Sequence, residues 1–242
     1  MKVIIQPFLI KYGGAERKTL LLARECKKNN INFQVITWKY NKQYYKEYGV
    51  ENKIIQIKST NFTSWILNVC YYILLKQKVT HIFAMNYPAN IIAGLCSFFT
   101  AGKINSTWMC NEVSSDVNKE KRGLFKQTLF SFGEYLSIQF IHTIYVNSKT
   151  TYNSLKKSYF KKANKIIHSG IDIKKFQDMI LKVKKEKNIV KDIDFIYLGR
   201  VEKHKGLDTL LELAKINKSE IFYVLGDGNY MDEMRRKSKN MS

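Results

Sequence analysis

Short β-branched runs alternate along this chain with longer segments whose apolar side chains recur at three- and four-residue intervals. Residues 3–5, FQVIT at 33–37, KIIQI at 53–57, VTHIFAM at 79–85, KINSTWM at 103–109, HTIYVNS at 142–148 and NKIIHSGID at 164–172 read as strands, several running into turns. Between them lie predicted helices: AERKTLLLAREC at 15–26, ended by Asn29-Asn30; SWILNVCYYILLKQ at 64–77, with Trp65, Val69, Tyr72 and Ile73 at helical spacing and Asn61 or Thr63 as its cap; a helix from near Pro88; a long helix through Leu136; and KTTYNSLKKSY at 149–159, capped by Ser148. Strands alternating with helices of this length predict a mainly parallel sheet covered on both faces.

Past residue 173 the pattern changes. A charged stretch at 174–191 reads as a surface helix plus linker, and a new β-α-β unit follows it: DFIYLG, GLDTLLELAKI and EIFYVLGDG. The expected organisation is an N-terminal Rossmann-like domain over 1–173, a linker helix over 174–191 and the beginning of a second Rossmann-like domain over 192–242. Open parallel sheets bind ligands beyond the carboxyl ends of their strands. Gly13-Gly14 and Gly199-Arg200 stand at such ends, one in each domain, which predicts a ligand cleft lined by both loops. The stretch FIYLGRVEKHKG at 195–206 carries the most chemistry. It reads as a buried strand, a loop with Arg200 and Lys205, and a helix opening at Gly206, the parts of an anion site.

Charge sharpens this picture. The 242 residues hold 41 Lys and Arg against 20 Asp and Glu, a net +21; residues 1–171 hold 25 against 8, a net +17, and residues 172–242 hold 16 against 12, a net +4. Such a field attracts nucleic acid, anionic lipid head groups or phosphorylated substrates, and a Lys-, Asn- and Ile-rich composition also follows from base composition. A nucleic-acid binder is disfavoured by the lack of a helix-turn-helix, zinc or base-stacking pattern. A nicotinamide-dependent oxidoreductase is disfavoured because Gly13-Gly14 do not form G-x-G-x-x-G. Cys26, Cys70, Cys96 and Cys110 have no C-x-x-C spacing and suggest reduced, intracellular thiols rather than a zinc site or disulfide framework. The opening MKVIIQPFL, broken by Gln6 and Pro7, suits a first strand better than a signal peptide, and no run of 18 apolar residues is present.

Five segments in order, GGAER at 13–17, VNSKTT at 146–151, HSGIDIKKF at 168–176, GRVEKHKGLDTLL at 199–211 and VLGDGNYMDEM at 224–234, resemble glycosyltransferase family 4. That resemblance implies a GT-B fold and transfer of a sugar from a nucleotide-diphosphate donor to a glycan or lipid-linked acceptor, with retention of configuration and no metal cofactor. It assigns Arg200 and Lys205 to the departing diphosphate as the catalytic pair. It assigns Gly13, Gly14, Gly199, Gly226, Asp227 and Gly228 to the donor and its phosphates. Many members carry a histidine in the loop after the KINSTWM strand. Here that loop reads Cys110-Asn111-Glu112, which leaves Asn111 and Glu112 as candidate sugar contacts. His168 stands where Asn is more usual, and His81, His142 and His204 read as structural or exposed.

In the family the second domain continues beyond the GDG turn into a portion whose E-x7-E carboxylates hold the donor sugar and ribose. This sequence stops at Ser242 ahead of that portion. The expectation is therefore half a donor site, weak or inactive alone, or the acceptor-binding half of a split enzyme with a separately encoded C-terminal partner. A cytoplasmic protein, peripheral on an anionic membrane face through its basic first domain, is the expected setting.

Overall fold

The computed structural model describes residues 1–10, 13–42, 46–76, 78–110, 124–159, 163–171, 173–186 and 194–239. The chain divides into two compact units, Met1–Ile171 and Asp172–Ser242.

The first unit is built on a seven-stranded, wholly parallel sheet. Its elements run β1 (Lys2–Ile5), β2 (Phe8–Leu9), α1 (Gly14–Lys28), β3 (Phe33–Thr37), β4 (Lys39–Tyr40), β5 (Ile54–Gln56), α2 (Phe62–Leu75), β6 (His81–Ala84), α3 (Ala89–Phe99), β7 (Asn105–Cys110), α4 (Leu124–Gln139), β8 (Thr143–Val146), α5 (Lys149–Tyr159) and β9 (Lys165–Ile166). The strand order is β5-β3-β1-β6-β7-β8-β9. β1 pairs with β3 from Lys2–Phe33 to Ile5–Ile36 and with β6 from Lys2–His81 to Ile5–Ala84. The chain thus travels outward from β1 through β3 and β5, then returns to the other side of β1. That reversal makes the carboxyl ends of β1 and β6 the switch point at which open α/β sheets form a ligand crevice.

Both faces of this sheet are covered. Alternate side chains Val3, Ile5, Ile36, Ile82, Trp108 and Ile144 pack against α2, α3, α4 and α5, whereas Ile4, Phe33 and Val35 pack against Leu20, Ala23 and Cys26 of α1. Asn61 is the cap of α2, accepting from the Ser64 amide at 2.8 Å, and Ser148 accepts from the Thr151 amide at 3.0 Å. Helix α3 is apolar all round because α2 and α4 flank it: its residues from Ala89 to Gly94 are all buried. Gly94 is required there, since a Cβ would collide with the Ser137 carbonyl of α4. The β2–β4 pair is a separate two-stranded ribbon, too short for a sequence period to reveal. All four cysteines are buried.

The second unit contains α6 (Ile173–Glu186), β10 (Phe195–Leu198), α7 (Leu207–Ile216), β11 (Phe222–Leu225) and α8 (Met231–Lys239). β10 and β11 pair in parallel from Phe195–Phe222 to Leu198–Leu225. Tyr197 and Val224 face a small core of Val201, Leu207, Leu211, Tyr230 and Met234. The expectation of a buried strand at 195–198 is corrected here: Ile196, Leu198 and Leu225, on the opposite face, are 55%, 80% and 49% exposed. The strand forms, but helices cover one of its faces. Each unit is of the α/β, Rossmann-like class with parallel strands expected from the strand–helix alternation.

Candidate functional site

The loops that leave β10 and β11 meet backbone to backbone. The Gly199 amide donates to the Leu225 carbonyl at 3.1 Å, Val201 N–H to Asp227 O at 3.0 Å, and Tyr230 N–H to Val201 O at 3.0 Å. Glycine is needed on the β11 side: a Cβ on Gly226 would strike the Gly199 carbonyl, and one on Gly228 would strike Val201. Gly199, Arg200, Gly226, Asp227 and Gly228 therefore stand together at one strand end. The Asp227 carboxylate accepts from the adjacent Gly228 amide at 2.7 Å.

Arg200 follows Gly199 directly, and Tyr197 pins its carbonyl through an O–H···O bond of 2.8 Å. Its guanidinium, 63% exposed, donates from Nη1 to Glu202 Oε1 at 2.7 Å, while His204 Nε2 lies 3.3 Å from Glu202 Oε2. Lys205 closes a single 3-10 turn (Lys203–Lys205) and is exposed; its amide donates to Glu202 O at 2.9 Å. Helix α7 begins at Leu207, one residue past the expected opening, because Gly206 adopts φ 75°, ψ 19° and serves as the N-cap. Lys205 thus stands two residues ahead of α7, and Glu202 is a resident counter-ion to Arg200.

Behind this loop lies a network that sequence reasoning missed. Asp208, in the first turn of α7, accepts from Tyr230 at 2.6 Å and from Lys237 of α8 at 2.8 Å, and Lys237 also donates to Tyr230 at 2.6 Å. Hydrogen bonds from Lys237 and then Tyr230 hold the Asp208 carboxyl below the usual carboxylate range, and the bond to Asp208 pushes Lys237 upward. Its members lie 22 and 29 residues apart, so no local spacing announces it. A groove of about 620 Å³ between α7 and α8, over Phe222 and Val224, is lined by none of the predicted site residues.

In the first unit Gly13 is the N-cap of α1 and Gly14 its first residue. Neither occupies the left-handed region, and a Cβ on Gly14 would meet nothing within 4 Å, so packing does not explain the second glycine. The Glu16 carboxylate folds back to the place a Gly13 Cβ would fill, putting a carboxylate at the amino end of α1. The loop from β1 is held by Gln6, buried at 1% exposure: its Oε1 accepts from Thr19 at 3.4 Å, and its Nε2 donates to Phe8 O at 3.2 Å. Gln6 interrupts the apolar run in the sequence because it fastens β1 to α1. At the amino end of α3, buried Asn90 donates to buried Glu134 of α4 at 3.0 Å. Asn111 and Glu112 lie outside the described residues.

No protein-family model matches the chain, and no curated protein matches it. Solved structures do. One is HepE of Anabaena in complex with UDP-glucose, at TM-score 0.72 and 14% identity, covering 99% of this chain and 65% of that one. A glycosyltransferase from Rickettsia africae matches at TM-score 0.64 and 17% identity, over 99% of this chain and 65% of that one. A UDP-GlcNAc 2-epimerase from Neisseria meningitidis, bound to UDP-GlcNAc, matches at TM-score 0.55 and 16% identity, over 100% and 69%. The chain spans about two thirds of the length of these structures (65–69%). At such identities the likeness is one of fold.

Proposed function

We propose that this chain binds a nucleotide-diphosphate sugar through its second unit and acts in sugar transfer to a glycan or lipid-linked acceptor, as a retaining, family 4-type hexosyltransferase that needs no metal. The observation that carries this reading is the paired strand-end turn of the second unit, where the Gly199-Arg200 loop meets Gly226-Asp227-Gly228 backbone to backbone and Lys205 stands two residues ahead of α7. The solved neighbours bound to UDP sugars support it.

The physics is that of a diphosphate leaving group. Negative charge grows on the departing phosphate as the glycosidic bond breaks, and cations fixed in advance lower that state's energy without reorganising. A unit charge pair at ~4 Å and an effective dielectric of ~20 is worth on the order of 4 kcal/mol before desolvation, less what screening removes at an exposed loop. Arg200 begins paired with Glu202, so the diphosphate must compete with that carboxylate. The open space at Gly14 suits close approach of an acceptor to the start of α1.

Calorimetric titration of the chain with UDP and UDP-glucose, with EDTA present, tests the reading. Saturable binding that falls at least tenfold, about 1.4 kcal/mol, in both Arg200→Ala and Lys205→Ala supports it. Binding that both variants leave unchanged refutes it.

A further inference from the structure

The first unit carries an aromatic, cation-rich end that the proposed function does not use. Helices α2, α3 and α4 run antiparallel to the strands they connect, so their carboxyl ends gather where the strands begin, away from the switch-point loops. There the helices present apolar side chains outward. Leu67, Tyr71, Leu74 and Leu75 form an i, i+4, i+7, i+8 stripe along α2, with Tyr71 67% exposed, while Trp65, Val69 and Ile73 of the same helix are buried. Phe98 and Phe99 close α3, and Phe98 lies 4.7 Å, centroid to centroid, from Phe140, just past α4. Phe99 is 64% exposed and Phe132 of α4 is 58% exposed. α3 lies between α2 and α4, which places these side chains on the outside of one helical layer.

Lysines predominate around these side chains. Residues 52–111 contain no Asp or Glu, nor do residues 135–171; of the acids between them, Glu134 on α4 is buried against Asn90, and Glu112, Asp116 and Glu120 lie outside the described residues. Lys76 and Lys78 after α2, and Lys103 before β7, are exposed. The Met1 ammonium joins them, donating to the Lys78 carbonyl at 2.6 Å. Exposed aromatic and leucine side chains ringed by lysines match the interfacial zone of an anionic bilayer, where rings sit at head-group depth and lysines meet phosphate. Contact between two copies would oppose lysine to lysine.

We propose that this end of the first unit is a docking surface for an anionic lipid bilayer, with the α2 stripe and the Phe98–Phe99–Phe140 cluster entering the interface and Lys76, Lys78 and Lys103 holding phosphate head groups. The proposal is independent of the nucleotide-sugar reading, because it concerns the strand end opposite the switch-point loops. Among the described residues no helix is long and apolar enough to cross a membrane, which makes this a surface contact.

Vesicle co-sedimentation tests it, using the full chain with phosphatidylglycerol-containing and pure phosphatidylcholine vesicles, and light scattering to read oligomeric state. Three variants are compared: Phe98→Ser/Phe99→Ser, Leu67→Ser/Tyr71→Ser and Lys76→Glu/Lys78→Glu. All the sites are exposed, and circular dichroism and UDP titration check that each variant folds. Binding to the anionic vesicles alone, weakened at least tenfold in each variant with UDP binding unchanged, supports the proposal. Equal indifference to both vesicle types overturns it, as does binding that the aromatic variants leave intact. A dimer that the aromatic variants dissociate, without vesicle binding, also overturns it and assigns the patch to a second copy. Loss of UDP binding in the parent chain would instead strike at the nucleotide-sugar reading and leave the lipid result standing.

Discussion

The two units solve the same problem, burying a parallel sheet, to different extents. In the first, seven strands share helices on both faces, and Trp65, Ile4, Ile5 and Ile82 reach 0% exposure. In the second, two strands share one helical layer, and Leu198 remains 80% exposed. Hydrophobic stabilisation scales with apolar area removed from water, at about 25 cal/mol per Å², so the first unit carries most of the folding free energy. The predicted cationic residues belong to the second. Chemistry and stability are thus divided, with the candidate diphosphate loop on the less stable part, where a ligand that binds the folded state adds proportionally more.

The largest effect that would break this comparison comes from the core of the first unit. Trp65 packs in a triangle of rings with Trp38 and Phe62, each 6.2 Å away by ring centroids, and its buried indole N–H has no hydrogen-bond partner, so its removal costs packing alone. Trp65→Ala is expected to lower unfolding free energy by about 3–5 kcal/mol in urea titration. Leu211→Ala in the second unit should cost less in the same assay; the reverse order would contradict the division. Next in size is Gly94→Val, which forces α3 from the Ser137 carbonyl and is expected to cost about 1–3 kcal/mol, seen as a lower Tm.

Amide exchange sharpens the contrast without mutation. β10 and β11 should exchange orders of magnitude faster than β1, β3 and β6, and UDP should slow β10 and β11 selectively. A smaller effect involves pH. Burial, with the positive field of Lys2 adding, pushes the His81 imidazole below its usual range while its Nε2 stays 2.8 Å from Thr107 Oγ1. The folded state then binds fewer protons than the unfolded one, so stability is full above the unfolded value of ~6.5 and declines as pH falls through it toward the lower folded value. His81→Gln should flatten that decline in Tm between pH 7.5 and 5. The smallest expected effect is functional: Glu202→Gln frees Arg200 and should raise UDP affinity a few-fold by titration.

Strand–helix alternation made the fold class legible, because buried parallel strands are written as unbroken β-branched runs such as KVII and TIYV. The caps Asn61 and Ser148 were legible for the same local reason, a hydroxyl or amide one turn ahead of an apolar period. The ribbon of β2 and β4 was not, since two residues carry no period. Nor was the bareness of β10: FIYL reads as a buried strand whether or not anything covers its second face, and cover is a property of other segments. The strand-end glycines were legible as a group, but the reason for two of them, carbonyls of Gly199 and Val201 abutting Gly226 and Gly228, lies in a neighbouring strand. The resident pairing of Arg200 with Glu202, two residues away, could have been read from their alternation in GRVE. The Asp208–Tyr230–Lys237 network could not, because its members meet only once α7 and α8 pack.

The most direct test of the account is UDP-glucose titration of the chain beside Arg200→Ala and Lys205→Ala, followed by amide exchange. The expected result is saturable binding, weakened at least tenfold in each variant, with ligand protection confined to β10, β11 and the loops that leave them. Undiminished binding in both variants, or protection that falls elsewhere, would contradict it.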